Sequence, residues 1–425
     1  MSHENPRLIK VTLPEADRSF AIEVGEDGFV SNLAAVENGA VGSDIDLHGS
    51  AVYPGFIDIH IHGAVGVDVN SADADGLMEV AGFLARHGVT AWMPTLVPDS
   101  DENYRRVIAA IDRLMEIQGE MPIAQAVGVH YEGVFANEKM CGALRPEFFK
   151  TFARNHADTI PSAEAASNRS KAGGEREERE PPRPPKAAAT PPSKGGELIG
   201  LPRLKRGVHM TTLAPEIDGG IELTRELVRQ GWVVSVGHTK ADVETLDQAF
   251  AAGARHLTHF FNAMTGLHHR DVGVVGWALT KDEVTFDIIA DGVHVHPKML
   301  EYACRSKSPG KVSLISDSIA PTGLGDGEYN VWGEKISVVN GRTENERGSI
   351  AGSVITMLDA VNRMLSLGFS PTEVSKMASL NPAKLLGIDK NYGSIEVGKR
   401  ADLVAMNADG IVKLVMIGGQ IVYEA

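Results

Sequence analysis

Residues 54 to 63 read PGFIDIHIHG, and this short stretch limits the chain's options more than any other. In a β-strand successive side chains point to opposite faces, so Asp58, His60 and His62 share one face while Ile57, Ile59 and Ile61 cover the other. An isoleucine face demands burial. If a closed barrel buries the opposite face too, the two neutral imidazoles on it need hydrogen-bond partners or a metal ion. Read alone, a His-x-His pair suits a polar rim as well as a metal site, and its neighbours must decide.

The rest of the chain supplies a setting for such a strand. With 425 residues and 43% hydrophobic content it can bury a large core. Strand-like segments crowd both ends: LIKVTL, SFAIEV and GFVSNLAAV near the start, GSIEVGKRADLVAMN and IVKLVMIGGQIVYEA near the finish. The two ends are therefore expected to pair, 1–53 with 388–425, as a small β-sandwich domain beside a barrel spanning 54–387. The middle repeats strand then helix. VVSVGHT is followed by ADVETLDQAFAAGA and then by RHLTHFF. In that helix Val243, Leu246, Ala249 and Phe250 recur at helical spacing, and Thr239 with Asp242 reads as a capping box. With further strands at VTFDIIAD and KVSLISD, the pattern predicts an α/β fold, a (β/α)8 TIM-like barrel. Ser162 to Glu197 break the pattern. This stretch is rich in Pro, Ala, Gly and charge and has no aromatic, Ile, Leu, Val or Met, which predicts a disordered insertion in a surface loop.

Charge and cysteine usage exclude several kinds of partner. Forty-one Lys and Arg against 56 Asp and Glu leave a net charge of −15. That surface repels nucleic acid and anionic membranes, so an anionic ligand must be met by a local basic cluster. The only cysteines, Cys141 and Cys304, lie far apart, which argues for a reducing compartment and against a disulfide scaffold. MSHENPRLIK lacks the apolar core of a signal peptide and no run near 18 apolar residues follows, so a cytoplasmic protein is expected.

Polar residues recur where the apolar strands end. In VGVHYEGVFANE, Val127, Val129 and Tyr131 alternate with Gly128, His130 and Glu132. SVGHT ends in His238, and HLTHFFNAM carries His259 one strand, helix and loop later. LISDSIAPTG ends its strand with Asp317, and DIIADGVHVHP ends with Asp291, His294 and His296. Barrel enzymes keep their active sites at this rim. Imidazole and carboxylate without thiolate suit zinc, iron, cobalt or manganese in a hydrolytic site that leaves one position for water. On this reading His60 and His62 are the first strand's share of a metal centre.

These segments, with HYEGVFANEKMCGA, HLTHFFNAMTGLHHRDVG and GSIAGSVITM, resemble the ordered motifs of the N-acetylglucosamine-6-phosphate deacetylase family of the amidohydrolase superfamily. The match runs from about Pro54 to about Leu386, and GSIEVGKRADLV resembles the superfamily's closing β-sandwich strands. The resemblance implies a metal-dependent deacetylase that releases acetate and glucosamine 6-phosphate. It implies Glu132, His238 and His259 as principal metal ligands, His60 and His62 as the pair completing a second site, and one or two divalent ions per subunit, zinc first. Asp317 matches the catalytic carboxylate that takes a proton from metal-bound water and returns it to the departing amine. Asn262, Ala263, Arg270 and His294, with Ala143 and the backbone near Ala351, Gly352 and Ser353, match substrate-contacting positions. Arg270, beside His268 and His269, offers the positive cluster a sugar phosphate needs. A homodimer is implied as well, because some phosphate contacts in the family cross its interface.

Two positions depart from the family pattern. Val134 stands where Glu-Gly-Pro is usual, and Leu144 stands where many members carry a histidine that polarises the acetyl carbonyl. A leucine donates no hydrogen bond. Leu144 keeps N-acetylgalactosamine 6-phosphate or another N-acyl compound in view as substrate. A cyclic amidase would bridge its metals with a carboxylated lysine where Glu132 stands, and a non-catalytic scaffold would not keep every ligand and the acid. His130 and His296 could each satisfy a backbone carbonyl as easily as touch a ligand, and neither is counted among the site residues.

Overall fold

Eight apolar segments line up as the parallel strands of a barrel: β1 (Phe56–Ile61), β2 (Val89–Leu96), β3 (Gly128–Phe135), β4 (Val208–Leu213), β5 (Val233–Val236), β6 (His256–Leu257), β7 (Thr285–Ile289) and β8 (Val312–Ile315). Each pairs in parallel with the next. This computed structural model describes residues 7–14, 19–35, 44–47, 50–152 and 200–425, so the predicted insertion at 162–197 lies outside the described residues. The ring is completed between β8 and β1. There the Asp317 N–H donates to the His60 carbonyl at 2.9 Å and the His62 N–H to the Ser318 carbonyl at 2.8 Å. The fully buried Asp58 carboxylate adds to the seam by accepting from the Ser316 hydroxyl at 2.5 Å and from its N–H.

Helices cover the outside, so strands such as β2 are buried along their whole length, as parallel strands are. In α1 (Ala74–Arg86) Leu77, Val80, Ala81 and Leu84 form the buried stripe, and Asp73 caps the first turn by accepting from the Gly76 N–H. In α2 (Asp101–Ile117) Tyr104, Val107, Ile108, Ile111 and Leu114 do the same under a Ser100 cap. Further helices α3 (Gly220–Arg229), α4 (Val243–Ala252), α5 (Gly273–Thr280) and α6 (Pro297–Lys307) separate the strands from β4 to β8.

Two local expectations are corrected. The cap of α4 is Asp242, which accepts from the Thr245 N–H at 2.8 Å, because the Thr239 hydroxyl is taken by Glu216. Leu246 and Ala249 are buried while Val243 is 39% exposed, since it sits at the first helical position. Nor do the three β1 isoleucines share one face. Ile57 and Ile59 pack with Ala91, Met93, Met210, Ile289 and Ile315, whereas Ile61 joins Phe56 and Trp92 in the cluster shared with the helices. The pairing register slips between Asp58 and Ile61, and such an irregularity re-aims the side chains beyond it.

Strands from both termini form one further sheet, Ala51–Pro54 pairing antiparallel with Leu403–Met406. Its core includes Val11, Ile22, Val30 and Val52 from one end and Leu403, Leu414 and Met416 from the other. A three-stranded antiparallel sheet, Gly327–Val331, Glu334–Val339 and Arg342–Asn345, follows β8 and was not expected from the sequence. Among the described residues no helix is long and apolar enough to cross a membrane.

Candidate active site

His238, His259 and Asp317 each stand two residues past the end of their strand, and all three adopt the left-handed backbone conformation, with φ of 48°, 37° and 50°. Non-glycine residues take that conformation at a cost of order 1–3 kcal/mol each and keep it only where the surroundings enforce it. Just before His238 the chain runs so close to β4 that only glycine fits, because a Cβ at Gly237 would lie 2.6 Å from the Thr212 methyl. The turn carries each side chain from the strand end into the mouth of the barrel, where Glu132 of β3, His60 of β1 and His62 just past its end already point.

The donor atoms converge. The Glu132 Oε1 lies 3.0 Å from Nε2 of both His238 and His259, and those two nitrogens are 3.0 Å apart. His60 and His62 bring their Nε2 atoms to 3.1 Å of each other, and the His62 nitrogen lies 3.2 Å from both Glu132 Oε2 and Asp317 Oδ1. Two triads, His60–His62–Asp317 and Glu132–His238–His259, each gather their ligand atoms within 4.8 Å. The outer nitrogens are partly committed: Nδ1 of His62 and of His238 donates to the carbonyls of Thr95 and Met140, which turns the Nε2 lone pairs inward.

Electrostatics make the same demand. Burial works against a proton on His62, but the carboxylates of Asp317 and Glu132 outweigh it and raise its pKa to about 10. Burial likewise opposes the charge on His259, and Glu132 chiefly raises it to about 9. Burial would lift the Glu132 and Asp317 carboxyls, yet the imidazoles around them hold Glu132 well below and Asp317 below the usual carboxylate range. Neighbouring imidazole nitrogens at 3 Å repel unless positive charge lies between them, and buried carboxylates need a cation. Four imidazoles and a carboxylate without thiolate therefore fit a divalent ion.

A cleft of about 280 Å³ opens over these atoms. Ala143, Asn262, Ala263, His294 and Gly352, five of the positions expected to contact substrate, line it together with His62, Glu132, His238, His259 and Asp317. Ala351 and Ser353 are instead buried behind the wall, where the Ser353 hydroxyl donates to the Ser316 carbonyl at 2.5 Å and its N–H to the Asp317 carbonyl at 2.7 Å. Arg270 is not brought to the cleft within one chain. It is exposed, with its guanidinium against His269, on a loop that leaves the cleft after Ala263. Among the described residues no lysine or arginine lines the cleft. His130 is a buried structural residue, bonded to the Ile59 carbonyl and the Thr212 hydroxyl, with burial holding its pKa well below the usual value. His296 caps α6 by accepting from the Lys298 N–H.

The sequence model of the Amidohydrolase family matches residues 51–422, a span that includes every strand of the barrel. This chain is an amidohydrolase. It is similar to N-acetylgalactosamine-6-phosphate deacetylase of Escherichia coli O157:H7, at 32% identity over 93% of both chains. It is also similar to N-acetylglucosamine-6-phosphate deacetylase of Bacillus subtilis, at 33% identity over 88% of this chain and 85% of that one. Its fold superposes with a TM-score of 0.80 and 27% identity on a Mycobacterium smegmatis N-acetyl-D-glucosamine-6-phosphate deacetylase variant in complex with N-acetyl-D-glucosamine-6-phosphate, covering 99% of each chain.

Sequence reasoning missed part of the amidohydrolase's cleft. Trp332, Ser349 and Ile350 line it, all from the segment of the small antiparallel sheet and its exit. The signal was present in NVWGEKISVVNGRT, where alternating apolar residues flank an Asn-Gly pair, a strong hairpin mark.

Proposed function

We propose that this amidohydrolase removes the acetyl group of N-acetylglucosamine 6-phosphate by hydrolysis, giving acetate and glucosamine 6-phosphate. The observation that carries this reading is the convergence of Asp317 with four buried imidazoles and Glu132 at the floor of a small cleft. His60, His62, Glu132, His238 and His259 would hold one or two divalent ions, zinc first among them. A bound ion would supply a water of near-neutral pKa and polarise the amide carbonyl.

The chain's own residues do the rest. Asp317, kept ionised by His62 and His60, accepts a proton as water attacks and delivers it to the departing amine nitrogen. His294 is steadied by a 2.6 Å contact from its Nδ1 to the Asp291 carboxylate, which presents the opposite ring edge to the cleft as a hydrogen-bonding group for the sugar. The Asn262 and Ala263 wall completes the sugar's seat, and the cleft's volume suits one hexose. With no lysine or arginine lining the cleft among the described residues, a homodimer in which a second copy presents Arg270 would answer the phosphate's charge.

A second reading has support of its own. The E. coli relative named for N-acetylgalactosamine 6-phosphate matches 93% of this chain, and Leu144 lines the cleft without a donor. Acetate release from the two 6-phosphates, measured side by side on protein of assayed metal content, separates the readings. Fast release from the glucosamine derivative, lost in Asp317→Asn, supports the first; preference for the galactosamine derivative supports the second; release from neither overturns both.

A further inference from the structure

The small antiparallel sheet has two tight turns of the same kind. Val331 pairs with Glu334 around Trp332 and Gly333, and Val339 pairs with Arg342 around Asn340 and Gly341. Both central residues of each turn are left-handed, with φ of 54° and 80° in the first and 51° and 75° in the second. Asn-Gly is the favoured pair for such a turn, and the second turn has it. The first puts a tryptophan there, at a steric cost the neighbouring turn avoids.

The indole is held deliberately. Its Nε1–H donates to Asp68 at 3.2 Å, its ring meets the His62 ring edge-on with centroids 5.3 Å apart at 86°, and it lines the cleft. Two residues on, Glu334 pairs with Arg347, which also donates to the carbonyl of Ala143 on another wall of the cleft. The strained turn is thus tied down on both sides, with its one large apolar side chain against the donor cluster.

We propose that Trp332 is a specificity-determining residue that walls off the space beside the scissile carbonyl and limits the acyl group to acetyl. The inference rests on the amide-hydrolysis reading above. The attacked carbonyl carbon must lie within reach of Asp317, whose Oδ1 is 3.2 Å from the His62 nitrogen, and an acyl substituent directed to the His62 side meets the Trp332 ring that covers it. An acyl chain extended by one or more methylenes meets the indole.

The test compares kcat/KM for N-acetyl- and N-butanoylglucosamine 6-phosphate in the wild type and in Trp332→Ala, Trp332→Asn and Trp332→Phe. Trp332→Asn places the favoured residue in the turn, so the sheet is retained, and thermal unfolding checks each variant. A hydrophobic pocket discriminates by roughly 10- to 200-fold per methylene. The wild type is expected to favour acetyl by at least about tenfold, Ala and Asn to narrow that ratio about tenfold or more, and Phe to restore most of it. An acetyl-to-butanoyl ratio unchanged in folded Ala and Asn variants, while the wild type deacetylates, overturns the role of Trp332 alone. A wild type inactive on both substrates overturns the function on which it rests.

Discussion

At the scale of single residues, chemistry and stability are carried by different groups. Asp317 sits 3.2 Å from the His62 nitrogen and performs the proton transfer in the proposed reaction. Asp317→Asn keeps the shape and removes the base, so turnover should fall by about 10²- to 10⁴-fold while the Glu132, His238 and His259 set keeps its ion, as metal analysis beside kinetics would show. His209 is buried away from the site. It accepts from the Leu204 N–H at 2.9 Å, and burial, aided by Arg203, lowers its pKa to about 4. The folded protein therefore refuses a proton that the unfolded chain takes near pH 6.5. This contribution is complete above pH 6.5 and is lost as pH falls towards 4, on the order of 2–3 kcal/mol. Denaturant midpoints at pH 7.5 and 5 should diverge less in His209→Gln than in the wild type; equal divergence would remove His209 as the cause. That His60, His62, Glu132, His238, His259 and Asp317 form one cluster of candidate ligands was legible residue by residue, because the affinity of imidazole and carboxylate for metal does not depend on the fold. The burial of Ala351 and Ser353 and the distance of Arg270 from the cleft were not, because exposure is a property of the packed chain.

At the scale of elements, local patterns located the strands and helices better than their edges. The helix over Val243–Ala252 was predicted from its apolar spacing, yet Thr239 offered itself as a cap only because its competing partner, Glu216, is distant in sequence. Asp242→Ala should accordingly cost about 1 kcal/mol, read as a lower denaturant midpoint. An unchanged midpoint would show that the cap contributes nothing. In β1 the alternation of isoleucine with polar residues predicted a strand, but the slip in register between Asp58 and Ile61 is set by pairing with β2, which no local pattern contains. The antiparallel sheet after β8 is marked in the sequence by its Asn-Gly turn, but its strands are half exposed and carry few apolar residues, so the hairpin stands out less than the buried barrel strands.

At the scale of the whole molecule, candidate metal donors from the ends of β1, β3, β5, β6 and β8 come together only in the folded state, so an ion held there would favour it over the unfolded chain. A divalent ion bound only by the fold stabilises it by about 2.7 kcal/mol at a hundred times its Kd. Chelation should therefore lower Tm, added zinc should restore it in a concentration-dependent way, and Glu132→Gln should blunt the response. A Tm indifferent to chelator and zinc would sink the metal centre. By itself the sequence determined the barrel and its ligand types, since strand–helix alternation and side-chain chemistry are local and periodic. Closure of β8 onto β1, the left-handed turns that aim His238, His259 and Asp317 inward, and the tryptophan laid against His62 were decided by the tertiary structure. Each of these depends on contacts between segments far apart in the chain, and only the packed ring brings those segments together.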